Sequence, residues 1–173
     1  MNRSVAAFFA SVLLCLSSRT LWAVDAGRPA PVCSLSEIGG DAPAYDTGRF
    51  RGKVVYLDFW ASWCVPCAKS FPFMNQLHNE LKDKGLQLIG VNLDENPADA
   101  RAFLEKYPVD FMLAADRDGE CAKKFEVKGM PTSYLIGRDG TVRHVHQGFR
   151  GGETKELYQW VEQLLAENPP VSK

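Results

Sequence analysis

Cys64-Val65-Pro66-Cys67 is the segment of this chain whose residue types and spacing point most directly to chemistry. Two thiols two residues apart can close a disulfide, and the second can turn back on a mixed disulfide formed by the first. The pair follows an apolar run and opens a stretch of helical spacing. Unpaired N–H groups and partial positive charge at a helix N-terminus stabilise a thiolate, so its pKa falls and it becomes a nucleophile near neutral pH. Pro66 fixes its own φ and suits a first helical turn. Trp63 is expected to cover the apolar side of the site. A Cys-x-x-Cys has two other uses. Half of a structural zinc site needs two more ligands from Cys33, Cys121, His78, His144 and His146. These form no second close pair of familiar spacing, apart from His144-x-His146. A structural bridge does not require this placement between strand and helix, so the redox reading is preferred. No metal site is assigned.

Asp58 lies six residues before Cys64, in a run otherwise apolar on both faces. A buried carboxylate is costly, and desolvation raises its pKa. Beneath the disulfide, Asp58 could take the proton from Cys67 during exchange and return it later. The alternative is an edge position with the carboxylate in solvent.

Periodicity supplies the elements that position these groups. Residues 27–52 read as an irregular lead-in with a short hairpin. Lys53 to Trp60 is a buried strand. Pro66 to about Lys82 is a helix, with Phe73, Leu77 and Leu81 four apart and Gly85 beyond its end. Leu86 to Leu93 is a second buried strand. Asn96-Pro97 opens a helix through Lys106, Phe111 to Ala114 is a short strand, and residues 120–126 form a short helix. Thr132 to Ile136 and Thr141 to His146 flank Asp139-Gly140 as a hairpin. Glu153 to Glu167 is the last helix. The order β-α-β-α-β-α-β-β-α predicts an α/β fold with a mixed sheet in one domain, residues 27–173. His144 and His146 share one side of their strand, as a copper or zinc pair or as surface histidines.

The first residues read as a signal peptide, 1–26, with cleavage near 23–26. Arg3 precedes an apolar run over residues 5–16, which is shorter than the about 20 residues of a spanning helix. An uncleaved anchor is the alternative. Removal after Ala23 takes Arg3, Arg19 and Cys15, leaving 18 basic against 21 acidic residues and four cysteines. The whole chain carries a formal charge of -1, so no basic excess points to nucleic acid. Its 46% hydrophobic and 24% charged residues exclude a disordered chain.

Phe59-Trp60-Ala61-Ser62-Trp63-Cys64-Val65-Pro66-Cys67, with Pro72 downstream, resembles the thioredoxin-fold oxidoreductases. Gly129-Met130-Pro131-Thr132-Ser133 is similar to the cis-proline loop of that fold. Residues 97–120 resemble the helix-and-strand insert of the TlpA/ResA branch. Ala30-Pro31 and Arg51-Gly52-Lys53-Val54-Val55 also fit that branch. The resemblance spans residues 30–167. It implies a thioredoxin-like fold with a central mixed sheet flanked by helices, an inserted helix-strand unit and an N-terminal extension. It also implies that Cys64 attacks, that Cys67 resolves, and that Pro131 is cis. Trp63, Pro66 and Met130 would then meet the substrate chain. Thioredoxin has an acid at the place of Asp58, where many TlpA/ResA members have Asn. The lysine that partners this acid in thioredoxin has no match, and Gly90 takes its place.

No charge lies between the cysteines, and a His or Lys there would make the disulfide more oxidising, so a comparatively reducing couple is expected. The resemblance implies an exported, periplasmic, monomeric disulfide reductase without a cofactor. Its electrons would come from a DsbD/CcdA-type membrane donor, and its clients would be proteins of cytochrome c or copper-site maturation. Oxidase, isomerase and metal-chaperone readings remain as alternatives. Cys33 and Cys121 stand where the branch shows apolar residues. They are either two buried free thiols or a second, structural disulfide, which export and an even cysteine count favour.

Overall fold

A computed structural model describes residues 25–40 and 43–167; the segment expected to be a signal peptide lies, up to residue 24, outside the described residues. The lead-in contains a hairpin of β1 (Ser34–Ser36) and β2 (Pro43–Asp46). The core strand β3 (Val54–Trp60) is buried at every position. It runs into α1 (Val65–Leu81), which a 3-10 turn over Lys82–Lys84 extends to Gly85. Gly85 has φ 103°, a left-handed conformation that glycine adopts at low cost. The chain continues through β4 (Leu86–Asn92), α2 (Pro97–Lys106) and β5 (Met112–Ala115). It ends with α3 (Glu120–Lys124), β6 (Thr132–Ile136), β7 (Val142–Gln147) and α4 (Thr154–Ala166).

One seven-stranded sheet has the order β2-β1-β5-β4-β3-β6-β7. The β3–β4 and β4–β5 pairs are parallel, and the others are antiparallel. The fold is therefore the mixed, thioredoxin-like α/β fold. The inserted α2–β5 unit places β5 beside β4, and β5 in turn receives the N-terminal hairpin. From β3 onward the expected strands and helices are all present, with boundaries displaced by one or two residues, whereas the lead-in was expected only as an irregular segment with a short hairpin and its 3-10 turn at Thr47–Phe50 was not foreseen. The strand expected at Phe111–Ala114 lies one residue later, because Ala115 still pairs with Asn92 and Ser36.

Alternation along β3 divides the core between the two sheet faces. Val54, Tyr56 and Trp60 pack with Cys64, Cys67, Phe71 and Leu77, with Phe103 of α2, and with Leu157 and Val161 of α4. Val55, Leu57 and Phe59 pack on the other face with Cys33, Leu35, Cys121 and Phe125. Asp58, between Tyr56 and Trp60, thus faces the side that α1 covers.

Candidate active site

β3 delivers the chain to a turn closed by the Cys64 N–H donating to the Ala61 carbonyl at 3.1 Å. Cys64 then stands at the N-cap of α1, where its Sγ accepts from the Cys67 N–H at 3.2 Å. A disulfide joins Cys64 to Cys67, whose Cα atoms are 5.3 Å apart. Both cysteines are buried, Cys64 at 4% and Cys67 at 0% exposure. Pro66 lies in the first helical turn, where no intrahelical N–H is required. The helix also contains Pro72, and near it the Ser70 hydroxyl donates to the Cys67 carbonyl at 3.0 Å.

Trp63 is 70% exposed, and Val65 beside it is 69% exposed. With the partly exposed Tyr107 they are three of the four exposed large hydrophobic residues among those described. A groove next to Cys64 runs between α1 and α2 and includes Ala68, Asp99, Phe103, Lys106 and Tyr107 in its lining.

Asp58 is 1% exposed on a strand flanked by β4 and β6, so it is not at an edge. Ser133, its partner across the β3–β6 ladder, donates its hydroxyl to Asp58 Oδ1 at 2.6 Å. Oδ2 is buried without a hydrogen-bond partner. Burial raises the carboxyl pKa to about 7, against the opposing pull of the Ser133 hydrogen bond. Asp58 also pairs in register with Gly90 on β4. A side chain at Gly90 would meet Phe111, Leu113 and Trp60, so no cation occupies that place. Asp58 is therefore a buried proton-binding group in the physiological range, on the face that carries the disulfide.

The Met130–Pro131 peptide bond is cis, at the entry to β6. Met130 is half-buried and packs against the cluster that contains Cys64 and Cys67. His144 and His146 are not free surface groups. His144 stacks on Trp160 of α4 at 4.3 Å, and His146 Nε2 lies 3.2 Å from Glu153. Among the described residues no group of three or more His, Cys, Asp or Glu is placed to hold a metal ion.

Cys33 and Cys121 are joined by a second disulfide, with Cα atoms 5.4 Å apart. Both are buried on the face opposite the redox pair. The bridge ties the lead-in to α3, whose first N–H groups are received by buried Asp116: Cys121 N at 3.0 Å and Ala122 N at 2.8 Å.

Sequence reasoning missed two groups. Ser133 is 75 positions from Asp58, and no local pattern reveals that contact. Asp94, just past β4, accepts from both the amide and the hydroxyl of Ser62 in the active-site turn. An acid directly after a buried strand, followed by Glu95, was its only signal.

The Redoxin family profile matches residues 25–160. The chain belongs to the Redoxin family. Within it, the thiol-disulfide oxidoreductase ResA of Bacillus thuringiensis subsp. konkukian is 36% identical over 133 residues, covering 77% of this chain and 74% of that protein. The thiol-disulfide oxidoreductase ResA of Bacillus subtilis is 33% identical over 148 residues, covering 79% and 80%. A crystal structure from Chlorobium tepidum, assigned to the thiol:disulfide interchange protein DsbE, superposes with a TM-score of 0.78 at 43% identity, covering 83% of this chain and 100% of that one. The ResA-like character expected from the motifs is therefore established. This Redoxin-family chain is a thiol–disulfide oxidoreductase.

Proposed function

We propose that this Redoxin-family protein is an exported reductase of client disulfides, working through the Cys64–Cys67 couple. The observation that carries the reading is the site itself: a bridge at the N-terminus of α1, with Cys64 Sγ on a helix amide and only Val65 and Pro66 between the sulfurs. The helix end makes Cys64 a usable nucleophile, and the uncharged intervening pair withholds the added thiolate stabilisation that makes a strong oxidant.

In the reduced protein the Cys64 thiolate attacks a client disulfide. A mixed disulfide forms, and one client sulfur leaves as a thiolate. Asp58 takes the proton from the Cys67 thiol. The Cys67 thiolate then attacks Cys64 Sγ, closing the Cys64–Cys67 bridge and expelling the second client thiolate. Two electrons pass to the client, and Asp58 returns its proton as the pair is reduced again. Met130 and cis-Pro131 offer backbone to the client chain, while Trp63, Pro66 and Val65 form an apolar rim.

Several features of the reading follow from the leader and the family. Residues 1–26 act as the export signal, or as an anchor if left uncleaved, and residues 27–173 function as a monomeric domain in the periplasm. Among the described residues no helix is long and apolar enough to cross a membrane. A DsbD/CcdA-type membrane donor re-reduces the pair, and the clients are apocytochrome c or copper-site proteins with paired thiols. No cofactor is needed, because the cysteines carry the electrons.

The test is the equilibrium of the Cys64–Cys67 couple in a glutathione redox buffer. A potential near that of thioredoxin is expected, about -270 mV. A value near about -120 mV would assign an oxidase instead. Stoichiometric metal retained through purification would assign a metal chaperone.

A further inference from the structure

Asp94 is buried, at 5% exposure, in the loop that leaves β4. Its carboxylate oxygens receive only donors. Oδ2 accepts from the Ser62 amide at 2.9 Å and from Asn92 Nδ2 at 2.7 Å. Oδ1 accepts from the Ser62 hydroxyl at 2.9 Å and more distantly from the same amide. The Asp94 N–H in turn donates to Asn92 Oδ1 at 3.1 Å, which fixes the loop itself. Ser62 is two residues before Cys64, so this charge lies within about 14 Å of the Cys64 sulfur by chain length alone.

We propose that Asp94 is a positioning residue of the redox centre: it holds the turn that presents Cys64, and its buried negative charge disfavours the Cys64 thiolate and keeps the couple reducing. The inference rests on Cys64 being the attacking thiol. The helix N-terminus of α1 acts in the opposite direction through the Cys67 amide. The other charges on elements packed around Cys64 are Asp99 and Lys106 on α2, Lys69 on α1 and Asp58 on β3. Asp99 and Lys106 are exposed, of opposite sign, and screened by salt, and Lys69 points to solvent. Asp58 lies beneath the site in the sheet and remains in every variant below. Asp94 is the buried charge hydrogen-bonded to the turn itself, where the effective dielectric is lower than in water.

The hydrogen-bond pattern supplies a clean test. In Asp94→Asn the amide oxygen can take the place of Oδ2 and keep both of its donors. The amide nitrogen then replaces Oδ1 and donates to the Ser62 hydroxyl, which reverses as an acceptor. Shape and the three shorter bonds survive, the longer contact of the Ser62 amide with Oδ1 is given up, and the charge is lost. Ser62→Ala does the converse, removing one bond and keeping the charge.

The reduced proteins are alkylated with iodoacetamide across pH, and the labelled peptides are identified by mass spectrometry. Asp94→Asn should lower the pH midpoint of Cys64 labelling by about half a unit or more, while Ser62→Ala leaves it in place. Above both midpoints, the Asp94→Asn equilibrium with glutathione should move about threefold toward the dithiol. An unchanged or raised midpoint in Asp94→Asn overturns the proposal, as does an equal shift in both variants. Should Asp94→Asn not fold, Asp94→Ser also removes the charge, and it must lower the midpoint as well. Rapid labelling of Cys67 in place of Cys64 overturns the nucleophile assignment as well, and the labelled peptide tells that failure apart.

Discussion

Replacing Asp58 with asparagine separates the cost of burying this acid from its use. The folded carboxyl has its pKa raised from 3.8 to about 7, chiefly by desolvation. Between those values the folded state binds a proton that the unfolded state has released. Stability from Asp58 is therefore complete below about pH 4 and is lost as pH rises through 7. A gap of about three units at ~1.4 kcal/mol each amounts to about 4 kcal/mol lost by pH 8. Asp58→Asn is free of that loss. Its amide oxygen can accept from Ser133, but its nitrogen replaces Oδ2, which has no partner, at a cost of about 1–2 kcal/mol. The variant should be slightly less stable than wild type at pH 4.5 and about 2–3 kcal/mol more stable at pH 8. Urea unfolding of both oxidised proteins at the two pH values measures this directly. Stopped-flow reduction of a disulfide substrate between pH 6 and 9 measures the use, and the variant should be slower with the inflection near pH 7 absent. Parallel stability curves would refute the burial argument, and superimposable rates across that range would refute proton transfer.

Ser133→Ala removes the hydroxyl that favours the Asp58 carboxylate, so the inflection in the wild-type rate profile should move to higher pH. A fixed inflection would dissociate Ser133 from the acid. Cys67→Ser should trap Cys64 in mixed disulfides with clients, visible on non-reducing gels, whereas Cys64→Ser should not; equal trapping would reverse the assigned roles. The Cys33–Cys121 bridge closes a separation of 88 residues, so the paired Cys33→Ala and Cys121→Ala variant should lose about 4–5 kcal/mol by chain entropy alone. Mass spectrometry of an unreduced digest should contain the Cys33–Cys121 cross-linked peptide. Both cysteines alkylating in denatured, unreduced protein would exclude the bridge.

From residue 53 onward, side-chain periodicity with turn and capping residues located the strands and helices. Buried Leu157, Val161 and Leu164 recur along one stripe of α4, and such a repeat belongs to a segment regardless of its neighbours. The redox pair was legible for the same reason: Cys64 and Cys67 act through a spacing contained in one helical turn. Asp58 stood out as a charge in an apolar strand, although its burial required β4 and β6 on either side of it. What sequence left open depended on partners distant along the chain. Whether Cys33 and Cys121 were free or bridged was decided by packing β1 and α3 on one sheet face. The Ser133 hydroxyl reaches Asp58 only through the β3–β6 register, and a one-residue slip would turn it to the opposite face. His144 was legible as a surface or metal-binding residue until α4 brought Trp160 over it. Asp94 gained its role when the end of β4 came to rest beside the turn at Ser62. In each case the chain specified the groups, and the alignment of segments far apart in sequence decided which two would meet.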